Sequence, residues 1–390
     1  MENMSEKKKS ANLKPSKIII SIFLIIFIFA VVFVVAQTLR GVPMSTVTQG
    51  ISDFFDSLSA GPGYPYSKDT ANIESVKTLD NQLVILANDK TYLLNTTAKE
   101  TQEKQHTYSD PTLISKDGEF IVFDRGSGRI RYCDSKGIIW EKDMKQNVMA
   151  ADMSGNSRVA VATRASATKF IMTVYSKKTE VLFQWNCTSG YIADVAISEN
   201  GKNIAAIVIS EKNAEIVSTL FIFAIDEKEP LQKIEYQKTA LFDVSFSANS
   251  KVIAIGNNLR STVTLKGERT DDDIFRDNKL ASVAFDSTGT SVMQFFEYSG
   301  VNSNILVMTD ENGKECARVK VDSSVKKVAC GKKYFAAVLA DKIVCFNKRG
   351  KQIGEIKVNN EVEEISIIGS KCYIFTSGVI NRYSVRNKIA

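Results

Sequence analysis

The chain of 390 residues has one histidine, His106. That count excludes a His-based zinc site, and any Ser-His-Asp or Cys-His catalytic arrangement would have to use this residue. His106 lies in "KETQEKQHTYSD" (99–110), a polar stretch that reads as an exposed outer strand or loop. No Cys-x-x-Cys occurs among the six cysteines (133, 187, 316, 330, 345 and 372). Most of them fall in apolar strand-like runs, where cysteine acts as a small hydrophobe. Six reduced thiols are therefore expected; were a disulfide to form outside the cytoplasm, Cys330 with Cys345 would be the pair. "DRGSGR" (124–129) lacks the spacing and lysine of a phosphate loop and reads as a hairpin turn. "RTDDDIF" offers Asp271, Asp272 and Asp273 in a row, where calcium loops alternate their acids, so a solvated acidic turn is expected. The sequence implies no cofactor and no metal.

Excess positive charge is also missing from the bulk of the chain. The net +6 is concentrated before residue 41, where Lys7, Lys8, Lys9, Lys14, Lys17 and Arg40 face only Glu2 and Glu6. A nucleic-acid partner is therefore not implied. A composition of 44% hydrophobic and 24% charged residues is that of a chain with a sizeable core.

One long apolar run is present, "IIISIFLIIFIFAVVFVVA" (18–36), opening at Ile18 and closing at Ala36. It spans roughly 28 Å as a helix, close to the hydrocarbon thickness of a bilayer. The lysines on its N-terminal side place the N-terminus in the cytoplasm and the remainder outside. A cleaved signal peptide is the competing reading, but the run exceeds the usual apolar region of one. The expected organisation is a basic cytoplasmic tail (1–17), a transmembrane helix (18–38), a stalk (39–72) and an extracellular domain (73–390). In the stalk, Ile51, Phe54, Phe55 and Leu58 form a helical stripe, which "GPGYPY" (61–66) then breaks.

The remainder repeats. "TLISKDGEFIVF" (112–123), "AADMSGNSRVAVA" (150–162), "DVAISENGKNIAAI" (194–207), "DVSFSANSKVIAI" (243–255) and "SVAFDSTGTSVMQF" (282–295) share one pattern. Each has an alternating strand, then Ser115, Ser154, Ser198, Ser247 or Asp286 opening a polar turn, then a second strand that is nearly all apolar. Weaker copies lie at 75–87, 325–339 and 362–375. A third and fourth strand follow each hairpin, joined by turns at Gly137, Gly313 or Gly350. Four strands in every repeat of this length predict an all-β propeller. Repeats begin near residues 75, 109, 147, 190, 239, 279, 323 and 359, favouring eight blades over seven. The eighth lacks a fourth strand, and "YPYSKDTA" (64–71) is placed to supply it.

"CDSKGIIWE" (133–141) looks like the turn and tryptophan of quinoprotein-type blades, and the repeat as a whole is loosely WD40-like without its Trp-Asp pair. The layout, with Gly61, Gly63, Tyr64 and Pro65 in the stalk, resembles a domain-of-unknown-function family of clostridial Bacillota. That resemblance implies a single-pass membrane protein with a propeller ectodomain and carries no catalytic residue.

The expected function is a non-enzymatic binding or scaffold module whose partners are cell-envelope proteins or cell-wall glycan. The alternatives are a carbohydrate-active hydrolase, and a membrane sensor that works through a partner. The hydrolase would use carboxylates of innermost strands, with Asp152, Asp194 and Asp243 as candidates. Their structural reading is to accept backbone hydrogen bonds between blades.

Overall fold

The computed structural model describes residues 61–387, apart from 68–72, 80–81, 167–169, 248–250, 273–274, 276–277, 287 and 298–302. The basic tail, the apolar run and the 51–58 stripe lie outside the described residues. Among the described residues no helix is long and apolar enough to cross a membrane.

The unit Gly61–Ala390 is built from eight four-stranded antiparallel sheets. Their innermost strands are Ile73–Leu79, Pro111–Lys116, Asn147–Met153, Tyr191–Ile197, Leu241–Phe246, Lys279–Phe285, Lys327–Gly331 and Glu364–Ile368, which number blades 1 to 8. Within blades 1 to 7 the strands run inward to outward in chain order. In blade 8 the outer strand is Tyr66–Ser67, paired antiparallel with Val379–Ser384 through Tyr66 opposite Ile380. The N-terminal segment thus supplies the missing strand and closes the ring.

Three of the five turn-opening residues explain their own recurrence, while the Oγ of Ser247 bonds no described residue. The Oγ of Ser154 accepts the amide of Arg158 at 3.0 Å, and that of Ser198 accepts Asn203 at 2.9 Å. Asp286 takes the amides of Thr288 and Thr290 at 2.8 and 3.0 Å. Each side chain satisfies amides that the turn leaves unpaired. Ser115 differs. Its blade turns in two residues, Asp117 and Gly118, both with positive φ, so no turn amide remains for it. Its hydroxyl donates instead to the carbonyl of Thr78 in blade 1 at 2.8 Å.

Second strands such as Gln82–Ala87 are buried along their whole length. Successive blades interdigitate there. Trp185, on the outer strand of blade 3, packs on Phe221 and Phe223 of blade 4 with ring centroids 5.0 and 4.9 Å apart. Full burial of a side chain like Phe223 contributes about 1.5–3 kcal/mol.

One repeated feature has no signature in the hydrophobic pattern. The innermost strands of blades 1, 3, 4, 5 and 6 each carry a β-bulge near their start, at Glu74, Met149, Ala193, Phe242 and Ala281. A bulge bends a strand and re-aims the next side chain. That next residue is Ser75, Ala150, Asp194, Asp243 or Ser282.

Candidate functional site

The innermost strands surround a central channel, and all three sequence-predicted carboxylates belong to its wall, on blades 3, 4 and 5. Asp152 accepts the amide of Ile197 in blade 4 at 2.9 Å. Asp194 accepts the amide of Val244 in blade 5, also at 2.9 Å. Asp243 has no such partner. The innermost strands of blades 3, 4 and 5 pack closely in succession, whereas that of blade 6 stands off from blade 5. Two of the three acids therefore stitch neighbouring blades, as their structural reading expects, and the third faces the channel with its carboxylate unclaimed by any described residue.

Enclosure in the wall dominates their ionisation. It pushes Asp152 up to about 6, against the pull of Lys116 and the amide of Ile197. Asp243 also rises to about 6, first by burial and then by the charge of Asp152, with Lys77 opposing. Asp194 is held well above the usual carboxylate range by burial and by the nearby charge of Asp243. The three thus sense one another and share one electrostatic site.

Across the channel, blades 6 to 8, 1 and 2 line a cavity of about 700 Å³. Its wall carries Lys77, Lys326, Lys327 and Lys332 beside Asp286 and Glu364, with Ser75, Ser282 and Ser366 between them. Lys327 and Glu364 approach to 3.9 Å. The channel is polar and of mixed charge, acidic along blades 3 to 5 and richer in lysine opposite.

A second surface lies at the end of the ring where the innermost strands begin, here called the upper face. Tyr191 opens the innermost strand of blade 4, Phe242 is the bulged residue of blade 5, and Phe296 ends the second strand of blade 6. They are 40%, 45% and 51% exposed on three consecutive blades. Tyr191 is braced edge-on by Phe170, ring centroids 5.3 Å apart. In blade 4 the strands Asn203–Lys212 and Glu215–Ala224 extend to ten residues each, so their hairpin adds exposed Ile216 at the same end. Its turn is Asn213-Ala214, both at positive φ. Sequence reading missed this surface, because Tyr191 and Phe242 stand in apolar runs that read as core. The available signal was the stretch "SEKNAE" (210–215), which prolongs one hairpin in polar residues.

His106 is a correction. It is 7% exposed, not on the surface, and stacks on Tyr108 with ring centroids 4.8 Å apart. The blade 1 to blade 2 connection folds inward there because Asp124 draws in the amides of Ser109 and Asp110, each at 2.9 Å. "DRGSGR" is the expected hairpin turn, between Glu119–Asp124 and Arg129–Asp134. Asp271 and Asp272 fall in the outer strand Arg269–Asp272 of blade 5, and Asp273 lies outside the described residues. All six cysteines are free, and Cys345 has Cys372 of blade 8 as its side-chain neighbour, not Cys330. The thiol of Cys330 is turned to the carbonyl of Thr290 in blade 6.

Comparison with known proteins agrees with this architecture. The model of a family described as "Family of unknown function (DUF5711)" matches residues 63–384. No curated protein sequence matches the chain. Among solved structures, the C-terminal WD40 domain of Sif2 superposes with a TM-score of 0.57 at 11% identity, covering 83% of this chain and 98% of that one. BamB from Moraxella catarrhalis gives 0.52 at 10%, over 82% and 99%. Chaetomium thermophilum Sqt1, solved bound to the N-terminus of ribosomal protein L10, gives 0.56 at 13%, over 83% and 99%. At these identities the likeness establishes the propeller fold.

Proposed function

The chain belongs to the DUF5711 family, and from that premise we propose that it is a non-enzymatic scaffold, anchored in the cytoplasmic membrane by residues 18–36, that docks a cell-envelope protein on the upper face of its propeller. The observation that carries this reading is the arc of Tyr191, Phe242, Phe296 and Ile216. Exposed aromatics on successive blades of a rigid frame are what protein recognition uses, since they bring large apolar area at little entropic cost. That a propeller of this fold, Sqt1, was solved with a protein segment bound is consistent with the reading. The positive charge before the apolar run supports an extracellular propeller.

The hydrolytic alternative loses support from the channel itself. Asp152 and Asp194 are engaged by backbone amides of the next blade, which leaves Asp243 as the one of the three candidates without such a bond among the described residues. Glycosidic hydrolysis usually takes a pair.

Site-specific photo-crosslinking in intact cells tests the proposal. A crosslinker at Phe242 should capture one discrete envelope protein, and a crosslinker at exposed Leu231, at the opposite end of blade 4, should not. Equal capture at both sites, or none at Phe242, would exclude the upper face as the docking surface.

A further inference from the structure

Two buried polar atoms without a partner, Oη of Tyr108 and Nε of Arg131, are gathered in one place beside His106, whose imidazole N–H is turned to the backbone of Ala87. Tyr108, Arg131 and His106 are 6%, 9% and 7% exposed. They line a cavity of about 440 Å³ at the upper face, between the outer strand of blade 1 and the third strand of blade 2. Natural folds rarely leave such groups unpaired, and here two share one cavity.

The neighbouring groups show what is missing. Arg129 is held by three bonds: to Asp124 at 3.0 Å and to both the carbonyl and the hydroxyl of Thr107 at 2.7 Å. Arg131 is only partly engaged. Its Nη1 donates to the carbonyl of Gln105 at 3.1 Å. Its Nη2 is straddled by both oxygens of Glu141, at 3.2 and 3.3 Å, so its Nε stays free. This is a poor use of a guanidinium, whose Nε–Nη2 edge matches a carboxylate with two parallel bonds. The side chain of Glu141 is 45% exposed and can swing outward. The Nδ1 of His106 accepts the amide of Tyr108 at 3.4 Å, which makes Nε2 the N–H side of the ring. The unmet groups are the Nε of Arg131, a donor, and the Tyr108 hydroxyl, which can act as one. The two guanidinium carbons stand 5.1 and 5.9 Å from the centroid of the Tyr108 ring.

We propose that this cavity binds a small carboxylic acid, whose carboxylate displaces Glu141 and takes the Nε–Nη2 edge of Arg131 with the Tyr108 hydroxyl as a further donor. The volume is that of a small-molecule site. A carboxylate fits better than a phosphate dianion, because Asp89, Glu141 and nearby Asp124 already supply negative charge.

The single histidine makes the test selective. Full-length protein in detergent, labelled with [15N]histidine, gives one imidazole to follow while acetate, succinate or inorganic phosphate is titrated at constant ionic strength. The expected result is a saturable shift with succinate or acetate at millimolar concentration, and weaker binding of phosphate. Tyr108→Phe removes a hydroxyl that bonds nothing in the free protein, so it should preserve the melting temperature and weaken binding about tenfold. Glu141→Gln should tighten binding, and Arg131→Lys, which loses the fork, should abolish it. No saturable shift, stronger binding of phosphate, or binding untouched by Tyr108→Phe would each overturn the proposal.

Discussion

Replacing Asp243 with asparagine should stabilise the propeller, and should do so only above the acid range. The carboxyl of Asp243 is raised from the ordinary 3.8 to about 6 by enclosure in the channel wall and by the charge of Asp152. The folded state therefore binds a proton more tightly than the unfolded state does. Such a group favours folding at low pH, and that contribution is lost as pH rises from about 4 through 6. At pH 7.5, where Asp243 is ionised, the folded protein bears a cost of about 3 kcal/mol; at pH 4, where the folded-state carboxyl holds its proton, the cost is well below about 1 kcal/mol. Asparagine has the same shape and no charge, and no hydrogen bond to Asp243 is lost. For roughly 330 residues the unfolding entropy is near 0.7 kcal/mol/K, so about 3 kcal/mol corresponds to a rise of about 4 °C in Tm. Thermal melts of wild type and Asp243→Asn, run at pH 4 and pH 7.5, measure the difference. A gain of the same size at both pH values, or a loss at pH 7.5, would refute the assignment of Asp243 as an unclaimed acid in the channel wall.

Two further outcomes follow from the same structure. Only Cys316 is exposed, so a maleimide should label one thiol per native chain and all six after denaturation; rapid native labelling of a second cysteine would contradict the packing. Deleting residues 61–67 removes the outer strand of blade 8 and the edge-on contact of Tyr64 with Tyr373 at 5.5 Å. Tm should fall by about 4 °C, for a loss of about 3 kcal/mol, and limited proteolysis should move to 364–384.

The number of blades, their boundaries and the closing strand were legible because propeller strands alternate, turn and bury in a fixed order. Expected repeat starts of 147, 190 and 279 meet innermost strands that open at Asn147, Tyr191 and Lys279. The carboxylates of the channel were legible as positions but not as a set. Whether Asp194 or Asp243 is engaged depends on how closely the next blade stands, a distance set by packing that no single repeat encodes. His106 was misread for a related reason. A polar strand predicts exposure, yet the loop after it is drawn inward by Asp124, fourteen and fifteen positions beyond the amides it binds. The bulges are hidden because an extra residue in a strand looks like any other member of an apolar run.

The ring's closure also sets an order of events during synthesis. Tyr66 pairs with Ile380, so the first strand among the described residues cannot find its place until the ribosome has added more than 300 further residues. At ordinary elongation rates that interval is on the order of 15 to 60 s. Blades 1 to 7 can each complete their sheets from consecutive residues as they emerge, while the strand at Tyr66 waits. For that time the nascent chain keeps the strand at Tyr66 unpaired, and the seven finished blades form an arc with two open ends. Chaperone demand, and the risk of pairing with a neighbouring nascent copy, should therefore peak late in translation and end when blade 8 is released.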